Sequence, residues 1–193
     1  MRYDSEHKQR TRQRVLSEAA AAIRSVGPGG IGVAGLMAKA GLTHGAFYAH
    51  FDSKDDLVAQ AISQMFDESW LRFRDRTDHP DAAVALTKFI DSYLSTRHRD
   101  NPDQGCPLPS LAGELARLPD AARTNFTAGL DRLTGSMAKR IKELGHAEAD
   151  RLAASMIAEM VGALALSRAV PGASASDAIL ETSRKSVKAR IGL

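Results

Sequence analysis

The chain has 193 residues, 44% hydrophobic and 25% charged, which is enough apolar material for a core and suits one or two globular domains. Its single cysteine excludes an internal disulfide. Because no apolar leader follows Met1 and no run of about 18 apolar residues occurs, we expect a cytoplasmic protein without a membrane span. Residues 1–54 hold eight Lys and Arg against four Asp and Glu while the rest is nearly neutral, which favours a polyanion-binding N-terminal part.

Helical periodicity extends through nearly the whole chain, and no segment shows sustained two-residue alternation. Gly, Pro and Asn separate the periodic segments, and Ser53 is placed to cap a long helix whose first turn contains Asp55 and Asp56. The predicted helices cover approximately residues 5–25, 33–40, 44–51, 53–76, 81–98, 107–118, 121–144, 147–169 and 176–191. We therefore predict an all-α protein.

The segment around Gly41 has the pattern of a helix-turn-helix. Gly41 can supply the left-handed backbone that a tight turn between two short helices requires. Thr43 is placed to cap the second helix, and apolar residues at Leu36, Leu42 and Phe47 would pack both helices on the first one. A glycine between two amphipathic helices is common, so this pattern alone is weak evidence for DNA binding.

The residue string is more specific. The segment GVAGLMAKAGLTHGAFYAHFDSKDDLV, residues 32–58, resembles the signature of the tetracycline-repressor (TetR) family, and the similarity extends from Lys8 to about Val58. The resemblance implies a three-helix N-terminal helix-turn-helix DNA-binding domain, residues 1–54, and a larger C-terminal helical bundle for ligand sensing and dimerisation, residues 55–193. It also implies base or phosphate contacts from Thr43, His44, Gly45, Tyr48 and His50, with Lys54 gripping a phosphate.

Two positions depart from the family pattern. Gly32 stands where a Ser or Thr usually caps the helix predicted at residues 33–40, and Met37 stands where Ala is usual near the helix crossing. Both changes bear on the angle of the helix predicted at residues 44–51, which the resemblance makes the recognition helix. The basic run Lys8, Arg10, Arg12 and Arg14 fits extra phosphate contacts and the solvated face of the first helix equally well.

The resemblance implies that the last two helices form a homodimer interface, so that two recognition helices read a palindromic operator in double-stranded DNA. The stripe Leu152, Met156, Met160 and Leu164 could serve there or could be plain core. An unidentified small-molecule effector is expected to bind among the long helices and, by moving the helix that begins near Ser53, to change the separation of the recognition helices. Candidate lining residues, each also compatible with plain core, are Trp70, Phe89, Tyr93, Cys106, Leu111, Phe126 and Leu130.

Cys106 precedes a predicted helix start, where the helix dipole would lower the pKa of a thiol. A redox or electrophile sensor is therefore an alternative, against which stands the lack of a second cysteine in the chain.

The sequence contains no catalytic motif and no Cys/His metal cluster, so we expect neither an enzyme, nor a metal site, nor a cofactor. A sequence-specific repressor released by an inducer is the leading hypothesis. An architectural or protein-binding role on DNA is the other alternative. Repression is favoured over activation because occluding a promoter needs no surface that contacts the polymerase.

Overall fold

The structure is a computed structural model that describes residues 2–193, with side chains from residue 6 onwards. The predicted N-terminal domain begins at Met1, which lies outside the described residues. All regular secondary structure in the described range is helical, which confirms the all-α prediction. The α-helices are α1 (Arg2–Val26), α2 (Val33–Lys39), α3 (Lys54–Arg76), α4 (Ala82–Tyr93), α5 (Thr96–Asp100), α6 (Leu108–Leu111), α7 (Asp120–Glu143), α8 (Ala149–Ala169) and α9 (Ala173–Ala189). Three short 3₁₀ helices cover His44–Ala49, Pro102–Gln104 and Leu115–Arg117.

Two predicted long helices are each broken in the structure. The segment 81–98 stops at Leu94, whose side chain is fully buried and whose ψ of 55° leaves the helical region. Ser95 then caps α5 by accepting a hydrogen bond from the His98 amide at 3.2 Å. The segment 107–118 becomes α6 and a 3₁₀ turn, with Gly113, a poor helix former, between them.

The first three helices share one apolar core. Val15 and Ile23 on α1, Met37 on α2 and Phe47 are all fully or almost fully buried. Met37 thus fills the helix crossing at which Ala is usual, as a flexible side chain can. The turn depends on Gly41, whose φ of +71° is the left-handed value predicted for it.

The long helix α3 leaves this core and enters the C-terminal bundle, where it packs against α7. The two helices approach so closely at Gly129 that an added Cβ would lie 2.1 Å from Cγ of Phe66 and overlap its ring. Phe66 in turn packs edge-on against Phe126, with ring centroids 5.4 Å apart. This crossing fixes α3 between the N-terminal core and the bundle.

Helices α7, α8 and α9 pack side by side. Met156, Met160 and Leu164 on α8 are buried inside the protomer, so the stripe offered for the dimer interface belongs mainly to the core. Among the described residues, α8 is long and apolar enough to cross a membrane, with a mean hydropathy of 1.4, and 33% of that stretch is buried. This is weak evidence for a membrane, since core helices of soluble proteins pass the same test. Leu166 on its outer side is 58% exposed.

Candidate nucleic-acid interface and ligand cavity

The 3₁₀ helix His44–Ala49 occupies the place of the predicted recognition helix and keeps that name below. Phe47 anchors it, being 1% exposed, and its ring packs on Phe51 at a centroid distance of 5.6 Å. Tyr48 points the other way and is 70% exposed. Thr43, His44 and Gly45 are exposed beside it. One face of this helix is therefore held by the core and the other presents hydroxyl, imidazole and backbone groups to solvent.

The two predicted helix caps differ in outcome. Ser53 caps α3 as predicted, with its hydroxyl accepting from the Asp56 amide at 3.0 Å, while the Asp52 amide donates to the Asp56 carboxylate at 3.2 Å. Thr43 makes no side-chain capping bond, so that prediction was wrong. Because the recognition helix is a 3₁₀ helix, the Thr43 carbonyl instead accepts from the Ala46 amide at 3.1 Å, three residues on.

Lys54 is the first residue of α3 and is exposed next to the helix's N-terminal amides. His50 is half-buried at the end of the recognition helix. Burial, and then the charges of Lys8 and Arg12, lower the pKa of His50, so its imidazole is neutral at pH 7. The six predicted DNA-contacting residues thus lie on or beside one short helix. His50 is half-buried, and the other five are exposed: Thr43, His44, Gly45, Tyr48 and Lys54.

Arg12 is engaged with the protein itself. Its guanidinium lies over the Phe51 ring at 5.3 Å, donates to the His50 carbonyl at 3.4 Å and also bonds to the side chain of Gln60. Arg12 thus ties α1 to the recognition helix and to α3, whereas Lys8, Arg10 and Arg14 in the same run are exposed.

Residues 15–61 match the family model described as "Bacterial regulatory proteins, tetR family", and residues 82–182, just over half of the chain, match "Tetracyclin repressor-like, C-terminal domain". The chain belongs to the TetR family. It is thereby a TetR-family transcriptional regulator.

Solved structures agree along nearly the whole length. A TetR regulator from Chloroflexus aurantiacus is 27% identical, with a TM-score of 0.82 and 96% of each chain covered. The reduced form of E. coli NemR has a TM-score of 0.80 at 18% identity, covering 93% of this chain and 96% of the other, and shows the fold alone. The HTH-type transcriptional repressor DhaR of Mycobacterium sp. (strain GP1) is 26% identical over 115 residues, 60% of this chain. That match spans 57% of DhaR's length.

The C-terminal domain of this TetR protein contains a cavity of about 290 Å³, at the lower end of the usual size for small-molecule sites. Helices α3, α4 and α5 and the segment 101–106 form its walls. Of the sequence-predicted ligand residues, the cavity brings together Phe89, Tyr93 and Cys106.

The other four predicted ligand residues lie outside this cavity. Trp70 stacks under the guanidinium of Arg132 at 4.0 Å. Leu111 is fully buried, Phe126 packs on Phe66, and Leu130 is half-buried against the core. The sequence pattern pointed to apolar residues and missed three arginines of the cavity, Arg72, Arg76 and Arg97. The spacing of Arg72 and Arg76, four residues apart on one helix, was the available signal.

His98 closes one side of the cavity as a neutral imidazole. Its Nδ1 donates to the Tyr93 carbonyl at 2.8 Å, and its Nε2 accepts from the Cys106 amide at 3.0 Å, which defines the tautomer. Burial lowers the pKa of His98 to about 4. Gly105 is needed here, because a Cβ at this position would lie 2.9 Å from Nε2. The segment 101–106 is therefore fitted closely over the His98 ring.

Cys106 does not have the environment that its sequence position suggested. The residue is 7% exposed, and burial raises the pKa of its thiol, so the predicted lowering was wrong. The prediction relied on the dipole of a helix of about twelve residues, but α6 has only four residues, and the buried thiol interacts with Tyr93 and with the backbone of Leu108. At neutral pH the group is a protonated thiol.

We expect Cys106 to react slowly with thiol reagents in the native protein. Labelling with N-ethylmaleimide at pH 7.5 should be at least about tenfold slower than in denaturant, since reaction needs both exposure and the thiolate. Mass spectrometry over time measures the rate, and the unfolded protein is the control. Labelling at the unfolded rate would contradict the buried, protonated thiol and reopen the sensor alternative.

Buried Arg24 connects α1 to the cavity wall. Its guanidinium pairs with Glu68 of α3 at 2.5 Å, and donates to the carbonyls of Met65 at 3.4 Å and Asp103 at 3.3 Å. The Arg24 carbonyl accepts from the Ser110 hydroxyl of α6 at 2.8 Å. One side chain at the end of the first helix therefore joins the DNA-binding part to two elements that border the cavity.

Proposed function

We propose that this TetR-family regulator is a repressor that binds a palindromic operator as a homodimer and is released by a small molecule held in the cavity. The observation that carries the DNA-binding part is the recognition helix, with Phe47 buried in the core and Tyr48 70% exposed. In this proposal residues 1–54 read DNA, and residues 55–193 sense the effector and dimerise.

Each DNA-contacting side chain has a role that follows from its chemistry. Thr43 and His44 at the start of the recognition helix would reach base edges, and Gly45 would let the backbone approach the groove. The Tyr48 hydroxyl would donate to a phosphate. Lys54 would hold a phosphate in front of the α3 amides, where the helix dipole favours an anion. His50, neutral and half-buried, would orient this helix and contact DNA only through its exposed edge.

The homodimer is supported by the outer side of α8. Ala154, Ala158 and Ala169 are exposed and Leu166 is 58% exposed, so an apolar side of a long helix is uncovered in the single chain. Small residues allow close helix packing, and the exposed Ala173, Ala175 and Ala178 continue the surface onto α9. A two-fold pair formed there would place two recognition helices on successive major grooves.

Release by an effector would use α3. This helix begins at Lys54, the proposed phosphate contact, and its Arg72 and Arg76 line the cavity. Arg72 donates to the Gly105 carbonyl at 3.1 Å, and the Asp103 carbonyl, two residues earlier in the same segment, accepts from Arg24. A ligand that shifts Arg72 would therefore act on α3 and on the segment tied to α1 at once. A smaller fraction of the dimers would then have the separation of recognition helices that fits the operator.

The test is selection of bound sequences from a random DNA pool with the full chain. The proposal expects one palindrome whose half-sites are about one helical turn apart. Recovery of no preferred sequence would overturn it. Genome-wide occupancy then separates the architectural alternative, which expects many dispersed sites in place of a few promoters.

Replacing Lys54 by Gln should weaken operator binding and reduce the slope of log affinity against log salt by about 1, because one phosphate contact is lost. Fluorescence anisotropy over a salt series measures both. Lys139→Gln removes the same charge from an exposed site on α7 and should leave the slope unchanged. Equal slopes for the wild type and Lys54→Gln would remove Lys54 from the proposed interface.

A further inference from the structure

The charged side chains that line the cavity are all positive. Arg72, Arg76 and Arg97 line it, and no Asp or Glu is among the lining residues. In the part of the chain with described side chains, the ion pairs within 4.0 Å involve other arginines, such as Arg24 and Arg132, and none of these three. The cavity therefore holds three guanidinium groups without a carboxylate to neutralise them.

This arrangement is electrostatically unfavourable without a ligand. Burial, and then the charge of Arg24, lower the pKa of Arg72, while Glu68 acts in the opposite direction. The Glu68 carboxylate does not line the cavity and is shared between Arg24 at 2.5 Å and Gln64 at 2.9 Å. Arg72 and Arg76 also repel each other, as like charges four residues apart on a helix do. An anion in the cavity would relieve this repulsion.

Two of the guanidinium groups are held in place by neutral partners. Arg72 donates to the Ser69 hydroxyl at 3.0 Å and to the Gly105 carbonyl at 3.1 Å. Arg76 donates through Nε to the Ser92 hydroxyl at 2.5 Å. Because these partners carry no charge, the guanidinium positive charge stays available, and part of the ordering cost of binding is already met.

The remaining wall is apolar and aromatic. Phe73 and Phe89 pack edge-on with ring centroids 4.7 Å apart, and Tyr93 lies 5.8 Å from Phe89. Leu133 of α7 completes this side. The cavity thus combines the guanidinium groups of Arg72, Arg76 and Arg97 with an apolar, aromatic part that suits a flat hydrocarbon body.

We propose that the cavity binds a small organic anion, with a carboxylate or phosphate head group held by Arg72, Arg76 and Arg97 and an apolar, preferably aromatic, body against Phe73 and Phe89. This inference rests on the effector role proposed above for the cavity, and it adds the chemical class of the effector. Bidentate recognition by guanidinium groups suits both head groups, so the probes must include each of them.

The experiment is isothermal titration calorimetry on the full chain at fixed ionic strength with three naphthalene probes that differ only in the head group. They are naphthalene-2-carboxylate, naphthalene-2-phosphonate and the neutral naphthalene-2-carboxamide. At least one anion should bind at least about tenfold tighter than the amide, the difference expected from charge-assisted hydrogen bonds. The stronger of the two anions identifies the head group. Inorganic phosphate alone should bind more weakly than the aryl phosphonate, because the apolar wall then contributes nothing.

Arginine variants inside and outside the cavity test whether the anion binds there. Arg76→Gln and Arg97→Gln should each remove most of the preference for the anion. Arg74→Gln removes the same charge from α3 outside the cavity, where Arg74 lies over the Trp70 ring at 5.0 Å, and should preserve the preference. Thermal unfolding of each variant identifies any that fail to fold, and Arg97, exposed to solvent, is the variant least able to disturb the core.

Anions that bind no tighter than the amide, including a complete lack of binding at millimolar concentration, would overturn the inference. So would an anion preference that survives both cavity variants. Operator binding without any probe tests the proposed function separately. If the protein binds a palindrome but prefers the neutral amide, only the inferred anionic class of the ligand is wrong. If the protein binds no operator, the proposed function itself is wrong.

Discussion

Replacing Arg24 by Met is expected to lower the free energy of unfolding by about 3 kcal/mol, the size of effect seen when one partner of a buried ion pair is removed. The Arg24 side chain is 4% exposed, and the change would strip partners from Glu68 and from the carbonyls of Met65 and Asp103. Met roughly preserves the apolar stem but offers no donor. Urea denaturation followed by circular dichroism measures the loss.

The matched control is Arg151→Met, which breaks an ion pair with Glu148 whose two side chains are 74% and 63% exposed. Exposed pairs contribute about 1 kcal/mol or less, so this change should leave the free energy of unfolding nearly unaltered. Because Arg24 joins α1 to the cavity wall, Arg24→Met should also weaken any effect of a cavity ligand on operator affinity. If Arg24→Met and Arg151→Met lowered the free energy of unfolding by similar amounts, the contacts of Arg24 would not hold α1 to the cavity wall.

Replacing Gly129 by Ala is expected to destabilise the protein by about 1–3 kcal/mol, although Ala is the better helix former. The added methyl group would overlap the ring of Phe66, which is 3% exposed and held by Phe126. The ring cannot move without shifting the crossing of α3 and α7. Thermal or urea unfolding gives the change.

Gly135 on the same helix is the control, because a Cβ there would meet nothing within 4 Å. Gly135→Ala should therefore raise the free energy of unfolding by about 0.5–1 kcal/mol, opposite in sign. Combining Gly129→Ala with Phe66→Leu should recover part of the loss, since the smaller side chain makes room for the methyl group. Destabilisation by Gly135→Ala, or none by Gly129→Ala, would contradict the described packing.

The helix-turn-helix was predictable because its determinants are local. The left-handed backbone at Gly41 and the cap at Ser53 depend on residues within a few positions, and both were confirmed. The cap at Thr43 was wrong because the following helix is a 3₁₀ helix, a difference of hydrogen-bond register that residue types do not reveal. The contacts with DNA stay a prediction.

The cavity was less accessible to sequence reasoning. Its shape depends on the break at Leu94, which has neither Gly nor Pro to mark it, and on the long-range fit of Gly105 over His98. Periodicity likewise could not say which side of α8 faces inward, since Met156 and Leu166 are both apolar and lie on different sides. Such choices are made by packing between distant segments.

The neutral ring of His98 has a consequence for how the regulator would respond to its surroundings. With the pKa of His98 at about 4 and burial raising those of Tyr93 and Cys106, only the guanidinium groups among the cavity's titratable side chains are ionised near neutrality. The net charge of the side chains that line the cavity is then constant near neutral pH. Under the proposed function, a change with pH in how tightly the cavity holds a ligand near neutrality would follow the ligand's own ionisation, so that a weak acid would bind in proportion to its dissociated fraction.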